Sequence, residues 1–445
     1  MENTEFILPK GKKAVFVGRF QPFHNGHLEA INWILKQAGE VSIVIGSIQE
    51  FGQMNNPLDY KERREMVEAA LKEAEIKNYK IFGLPDFRNN VAWSKKLLEI
   101  TGLESGQTVL VSLNDWARDC AQEIGIEVAD QPVFFDNLSA TQVRDMMKAD
   151  FVWDNLVPKS VAEYLKDNGL DEAIVEAQIL PEDRIVDFIK KQMEAAGLGK
   201  VVLGVSGGID SAVTAAILHK SFKKRALFFW MTFVKKCPFG RNVERLEETF
   251  KMEVKKIYLD KILESYLKIL PSGGNLIYGN LKPRIRMNTL YYFANLKKAL
   301  VVGTTNRTEL EIGYFTKYGD GGVDIEPIAD LYKSEIYDMA KRLKIPTEIM
   351  EVAPTAALWP GQTDEKELGL TYYQLDTILK MMSQGFDAEV ICSLTNTSPE
   401  RMQKIIDRKN KNAHKLAMPP VCKLKNKLPR GRAPRYSFRS ADATR

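Results

Sequence analysis

Twice in this chain a short apolar run ends in glycine and turns directly into a helix-patterned stretch. Lys13–Gly18 leads into an amphipathic stretch over Gly26–Gln37, and Lys200–Gly204 leads into Ala212–Lys220. Each junction opens an alternating series. The first runs through Val41–Gly46, Ile81–Gly83, Val91–Ile100, Thr108–Ser112 and Asn114–Ile124. The second runs through Ala226–Trp230, Arg241–Met252, Val254–Leu259, Asn280–Lys297 and Ala299–Gly303. Strands alternating with helices predict parallel sheets covered on both faces, with ligand crevices at the carboxyl ends of the strands. The expected class is therefore α/β, with two parallel-sheet domains. Further helices are expected at Pro158–Asp167, from near Pro181, at Lys333–Leu343, at Tyr372–Met382 and at Glu400–Asn410. The turn dipeptide Asn168-Gly169 suggests a division into residues 1–168, a linker over 169–180, a second domain over 181–428 and a basic tail over 429–445. The two glycine-rich junctions differ in sequence, which argues for fusion of unlike domains over duplication.

The length of 445 residues suits two or three domains at about 150 residues each. No stretch approaches the roughly 18 uninterrupted apolar residues of a membrane span, and Met1–Lys13 lacks the apolar centre of a signal peptide. Cys120, Cys237, Cys392 and Cys422 lie far apart with no CxxC pair, which argues against zinc or a disulfide framework and suits a cytoplasmic protein. Of the net charge of +5, residues Pro420–Arg445 carry eight Lys or Arg against one acid, leaving the rest slightly acidic. A basic tail can bind nucleic acid or any polyphosphate. No aromatic-rich basic sheet or helix-turn-helix pattern accompanies it, so no nucleic-acid partner is expected.

At the first junction, Gly18-Arg19-Phe20-Gln21-Pro22-Phe23-His24-Asn25-Gly26-His27 places two of the four histidines three residues apart. At a helix N-terminus both can face one crevice, where free N–H groups and the helix dipole favour phosphate. A lone histidine there would read as a satisfied surface residue; a pair points to a site. Late in the same unit, Ser139-Ala140-Thr141-Gln142-Val143-Arg144 offers hydroxyls at a helix start and an arginine one turn in.

The HxGH element followed by SxTxxR resembles the nucleotidyltransferase superfamily, and residues 12–168 resemble the archaeal-type nicotinamide mononucleotide adenylyltransferases. The segments Gly46-Ser47-Ile48-Gln49, the Asn56-Pro57 turn leading to Glu62-Arg63, and Asp86 with Trp93 extend the likeness. The resemblance implies a Rossmann-like fold in which Gly18, Ser139 and Thr141 bind ATP. Asp86 and Trp93 would hold the nicotinamide end. His24, His27, Arg19 and Arg144 would stabilise charge as a mononucleotide 5′-phosphate attacks the α-phosphorus of ATP, with Mg²⁺ riding on the phosphates. Positioning and charge neutralisation would supply the catalysis.

At the second junction, Gly204-Val205-Ser206-Gly207-Gly208-Ile209-Asp210-Ser211 turns N–H groups and two hydroxyls toward an anion. It is neither GxxxxGK[ST] nor GxGxxG. A purely structural glycine turn is the bland alternative. SGGxDS resembles the pyrophosphate loop of the ATP pyrophosphatases. Gly303–Glu309, Lys317–Asp324, Lys333, Pro354-Thr355-Ala356 and His414-Lys415 follow in an order that resembles the ammonia-dependent NAD synthetases over about 181–428. That resemblance implies an adenine-nucleotide alpha-hydrolase-like fold. Gly204, Ser206, Gly207, Gly208, Ser211, Thr304 and Thr355 would bind ATP. Asp210 and Glu309 would ligate Mg²⁺, and Asp210 and Lys333 would be catalytic. Arg284, Lys317, Asp324, His414 and Lys415 would face the dinucleotide. Leu416 stands where the family carries arginine.

The two resemblances together imply a short pathway. The first domain would make deamido-NAD from nicotinate mononucleotide and ATP, and the second would amidate it with ammonia through an acyl adenylate. The reverse order, amidation of nicotinate mononucleotide before adenylylation, stays open, as does the use of nicotinamide mononucleotide. A nucleotide-sensing regulator is a third reading, against which His24, His27 and Asp210 are all present. No glutaminase domain is expected, so ammonia would come free or from a separate glutaminase. The synthetase resemblance implies a homodimer, with higher oligomers open. Tyr291-Tyr292-Phe293 reads as core and Cys237 as inert.

Overall fold

The computed structural model describes residues 7–235, 237–353, 355 and 367–422. The expected tail over 429–445, Pro354 and Ala356 lie outside the described residues.

The first unit is built on a five-stranded parallel sheet of order β3-β2-β1-β4-β5. Its strands are β1 Lys13–Gly18, β2 Val41–Gly46, β3 Tyr79–Leu84, β4 Thr108–Val111 and β5 Glu127–Ala129. The helices are α1 Asn25–Ala38, α2 Tyr60–Glu73, α3 Asn90–Thr101, α4 Asp115–Glu123, α5 Ala140–Lys148, α6 Lys159–Asp167 and α7 Leu170–Ala177. Every residue of β2 is buried, as expected for a strand covered on both faces. The pleat sorts the strands by side. Val15, Val44 and Leu110 join Trp93, Leu97 and Cys120 on one face, while Phe16, Ile43, Ile45 and Val109 face the other.

Two segments differ from the sequence expectation. Tyr60–Glu73 is a helix with an Asp59–Glu62 capping box and a buried stripe of Met66, Val67, Ala70 and Leu71. The stretch expected as a linker over 169–180 holds α7, in which Leu170, Ile174 and Ala177 are buried at helical spacing and Leu170 and Ile174 pack into the first unit's core. Asn168-Gly169 is a turn, with Gly169 at φ 65°, but it separates two helices of one unit rather than two domains.

The second unit has a four-stranded parallel sheet of order β9-β6-β7-β8 read in reverse, from β6 Lys200–Gly204, β7 Ala226–Thr232, β8 Val254–Tyr258 and β9 Ala299–Val302. Its helices are α8 Pro181–Ala195, α9 Ile209–Phe222, α10 Gly240–Phe250, α11 Asp260–Ile269, α12 Asn275–Lys297, α13 Arg307–Ile312, α14 Lys333–Arg342, α15 Thr347–Met350, α16 Tyr372–Ser383, α17 Ala388–Thr395 and α18 Pro399–Asn412. Helix α9 is apolar on all sides and is buried along most of its length, the pattern of a helix enclosed by sheet and helices.

The two units are not separate bodies. Leu370, Leu375, Ile378, Leu379, Met381, Ile391, Met402 and Ile405 belong to the same continuous core as Phe16, Ile45 and Leu71. The Gln384 amide donates at 3.0 Å to the carbonyls of both Ile48 and Gln49 and accepts the Tyr60 N–H at 3.1 Å. Tyr60 stacks on Phe386 at 5.5 Å between ring centroids, and Lys96 Nζ donates to the Ser393 carbonyl at 2.7 Å. Among the described residues, no helix is long and apolar enough to cross a membrane.

Candidate active sites

The first site forms where β1 becomes α1. His24 is the N-cap and is only 4% exposed; its ring stacks on His27 at 3.5 Å. His27 Nδ1 accepts the His24 N–H at 3.2 Å, which leaves Nε2 to carry the proton of the neutral ring. Burial lowers the His24 pKa to about 4 and holds His27 well below its usual range, with the neighbouring His24 adding to the effect. Both rings are therefore neutral at pH 7. Arg144 of α5 reaches across, 3% exposed, donating from Nη1 to the Gln21 carbonyl at 2.7 Å and from Nη2 to Thr141 Oγ1 at 3.2 Å. Among the described residues, two buried polar atoms at this junction, His24 Nδ1 and Arg144 Nε, have no partner. Unpaired polar atoms are costly when buried, and an entering phosphate could supply their missing partners.

Ser139 caps α5, with the Gln142 N–H donating to its hydroxyl at 3.3 Å, as its position suggested. Arg19 is exposed at the rim, and its charge is felt by Arg144, Arg63 and Asp86. Gly18 lies against the Phe20 ring, where an added Cβ would come within 2.6 Å. Asp86 follows β3 and is gripped from three directions. Ser47 Oγ and Gln49 Nε2 donate to its carboxylate at 3.0 Å each, and its own N–H donates to Gln49 Oε1 at 3.1 Å. Burial raises its pKa above the ordinary value.

Trp93, expected at the nicotinamide end, stands at the start of α3. It is 2% exposed, lies in the core with Leu97 and Leu110, and meets Trp116 edge-on at 5.3 Å. Arg63, which the sequence placed in the likeness without a role, is wholly buried on α2. Its guanidinium donates to the carbonyls of Arg19, Gly46 and Ser47 at 2.8–3.1 Å and so ties together the ends of β1 and β2. The available signal was an arginine standing on the apolar stripe of its own helix.

The second site surrounds the junction of β6 and α9 and opens into a cavity of about 1550 Å³. Gly204, Ser206, Gly208, Asp210, Ser211, Thr304, Glu309, Lys333, Thr355 and Lys415 all line it. The Ser206 N–H donates to Ser211 Oγ at 3.1 Å, and the two hydroxyls meet at 2.9 Å. Gly207 has φ 88°, and a Cβ there would lie 2.8 Å from the Phe239 carbonyl oxygen. Glycine is needed on both counts. The Lys333 ammonium is buried between two carboxylates, 2.6 Å from Asp210 Oδ2 and 3.5 Å from Glu309 Oε1. Asn306 Nδ2 donates to the other Asp210 oxygen at 3.0 Å. Two carboxylates already converging on one cation fit a hard divalent ion that keeps most of its other ligands as water and phosphate.

Four residues expected at the dinucleotide lie outside the cavity lining. Arg284 is exposed and donates to the Lys317 carbonyl at 3.2 Å. Lys317 Nζ donates to the His414 carbonyl at 2.6 Å, so it ties a loop to the C-terminal segment. Asp324 accepts the Tyr291 hydroxyl at 2.9 Å and the Val301 N–H at 2.7 Å, on the outer side of β9. His414 is exposed, its ring beside the Lys411 carbonyl. In place of Arg284, Arg286 lines the cavity, two residues along α12 and therefore on a different face. The far wall is the basic face of α18: Arg401, Lys404, Arg408 and Lys411. Their helical spacing was readable in the sequence as one charged face.

Two family models match the chain. The family model for NAD synthase matches residues 182–419, and the cytidylyltransferase-like model matches residues 15–145. The NH(3)-dependent NAD(+) synthetase of Methanosarcina mazei is 41% identical over 249 residues, which make up 55% of this chain and 97% of that protein. Among solved structures, NMN synthetase from Francisella tularensis is similar at 30% identity with a TM-score of 0.47, covering 55% of this chain and 99% of its own. NH3-dependent NAD synthetase from Campylobacter jejuni is similar at 30% identity and a TM-score of 0.47, covering 55% and 98%.

Proposed function

The chain belongs to the NAD synthase family, and from that premise we propose that it is a bifunctional enzyme of NAD biosynthesis, a nucleotidyltransferase followed by an ammonia-dependent ligase. The first unit joins nicotinate or nicotinamide mononucleotide to ATP with loss of pyrophosphate. The second activates the nicotinate carboxylate of deamido-NAD as an acyl adenylate, which ammonia then converts to the amide with release of AMP. The observation that carries this reading is the Lys333–Asp210–Glu309 cluster facing the SGGxDS loop inside one cavity.

In the first reaction, His27 Nε2–H and the Arg144 guanidinium donate to phosphate oxygens as charge builds at the α-phosphorus. The unpartnered His24 Nδ1 and Arg144 Nε supply further contacts once phosphate enters. Asp86, held by Ser47 and Gln49, orients the ring end of the mononucleotide. In the second reaction, the Gly204–Ser211 loop holds phosphates through backbone N–H groups and the two serine hydroxyls. Asp210 and Glu309 would hold Mg²⁺, which would neutralise charge on the ATP phosphates. Lys333 places its ammonium where α-phosphoryl charge develops. The Cys237–Phe239 segment and α18 enclose the cavity, and an acyl adenylate needs such shelter from water. Exposed apolar side chains on α11 and α12, including Tyr266, Leu267, Ile277 and Leu296, support assembly into a homodimer through the ligase unit.

The reverse order is kept as the second reading on a specific observation. Arg284, Asp324 and His414, the residues expected to select the dinucleotide, lie outside the cavity. The test uses His27→Ala protein with ATP, Mg²⁺ and ammonia, offering deamido-NAD or nicotinate mononucleotide in parallel. Amidation of deamido-NAD alone is the expected outcome. Conversion of nicotinate mononucleotide to its amide would establish the reverse order.

A further inference from the structure

Helix α16 runs between the two sites and touches the framework of both. Tyr372, Asp376 and Lys380 follow one another at four-residue spacing along one face, and Gln384 caps its end. Asp376 accepts the Ser334 N–H at 2.7 Å and the Thr308 hydroxyl at 2.6 Å. That hydroxyl oxygen in turn accepts the Lys333 N–H at 2.9 Å. The backbone that presents Lys333 is thus held from α16.

One turn further on, Lys380 is 2% exposed. Its ammonium lies 2.7 Å from Glu50 Oε2 and 3.0 Å from Glu335 Oε1. The Gln53 amide donates to the same two carboxylates. A buried ammonium must be paired, and here each partner belongs to the scaffold of a different site. Glu335 sits in the first turn of α14, and its second oxygen accepts the Tyr332 N–H at 2.9 Å, directly before Lys333. Glu50 accepts from Gln49 Nε2 at 3.3 Å, and Gln49 grips Asp86 at both its carboxylate and its N–H. On the neighbouring face of α16, the Tyr373 ring takes the Arg88 guanidinium at 4.5 Å, two residues past Asp86.

Resting on the bifunctional reading above, we propose that Lys380 is a positioning residue for both reactions. Through Glu50 and Gln49 it sets Asp86 at the ring end of the first site. Through Glu335 and the first turn of α14 it sets Lys333 in the second. It touches neither substrate. The two contributions differ in kind. Asp86 holds a part of the mononucleotide remote from the reacting phosphorus, so its displacement weakens substrate and transition state alike and raises KM. Lys333 acts on charge that develops only in the transition state, so its displacement lowers kcat.

The experiment compares the full chain with Lys380→Met in two separate assays. Adenylyl transfer uses nicotinate mononucleotide with ATP, and amidation uses deamido-NAD with ammonia and ATP. The expected result is a rise of about tenfold in mononucleotide KM with kcat near the parent value, together with a fall of about tenfold in amidation kcat with KM little changed, as supporting partners of functional groups typically give. A merely structural role would instead lower both kcat values together, in step with the folded fraction, and leave both KM values alone; that pattern overturns the proposal. So do parameters that stay within about twofold of the parent in both assays. Glu50→Gln and Glu335→Gln carry the test should Lys380→Met fail to fold. Glu50→Gln should raise mononucleotide KM and Glu335→Gln should lower amidation kcat, and the absence of both effects overturns the proposal. A parent chain that transfers no adenylyl group overturns the functional reading and this inference with it, whereas an active parent with an unchanged Lys380→Met overturns this inference alone.

Discussion

At the first junction the histidines are neutral, and among the described residues polar atoms of His24 and Arg144 stand unpartnered. At the second junction the cation is already satisfied, with Lys333 clasped between Asp210 and Glu309. Both junctions join a parallel strand to a helix, and both are suited to phosphate. The difference lies in what a ligand must do on arrival. In the first site it supplies a missing partner. In the second it must share or exchange an internal ion pair, which favours a substrate that brings its own cation.

The contrast can be broken most sharply at Asp210. Asp210→Asn should cut amidation by about 10³-fold or more while adenylyl transfer stays within about twofold, since the carboxylate is needed only in the second site. Loss of both activities in a folded variant would show that the sites are not separable. The converse variant, His27→Ala, should lower adenylyl transfer by about 10²-fold with amidation retained, measured by steady-state turnover of each half-reaction. Near-parental adenylyl transfer would remove the histidines from the chemistry.

The neutral state of His24 makes a pH prediction. Unfolded, the ring titrates at about 6.5; folded, at about 4. Between those values the unfolded chain takes the proton and the folded chain does not, so stability rises with pH across the window and is lost as pH falls through it. For this 4%-exposed ring the effect is on the order of 3 kcal/mol once pH reaches about 4. Chemical denaturation at several pH values should show it, and His24→Gln should reduce the dependence while the part from His27 remains. The smallest effect is expected at Gly207. Gly207→Ala forces a side chain into left-handed backbone against the Phe239 carbonyl and should destabilise by about 1–2 kcal/mol, with a raised ATP KM for amidation only.

The parts legible in the sequence are those dictated by local chemistry. Both strand-to-helix junctions, the His24–His27 spacing and the SGGxDS loop stand where the alternation of apolar runs and glycines placed them. Helix α2 escaped notice because its stripe is short and begins with an arginine, and α7 because a turn dipeptide precedes it. Positions assigned through the resemblance fared unevenly for a different reason. Arg284 and Arg286 are two residues apart in sequence but point about 200° apart around a helix, so a motif locates the helix and not the face. Lys380, Glu50 and Glu335 were invisible for a third reason. Each is an ordinary charged residue on a helix or turn, and only the folded chain brings them together across hundreds of residues of sequence.

The continuous core that joins residues 8–174 to residues 312–405 sets an order of events during synthesis. The chain emerges from its N-terminus, so the first sheet and its helices leave the ribosome well before the segment that completes their packing. Tyr60 must wait for Phe386, and the carbonyls of Ile48 and Gln49 must wait for the Gln384 amide. At about 5–20 residues per second, the delay is on the order of half a minute. Through that interval the flank of the first unit is a half-built wall, apolar and open, and the growing chain itself carries the segment that will close it.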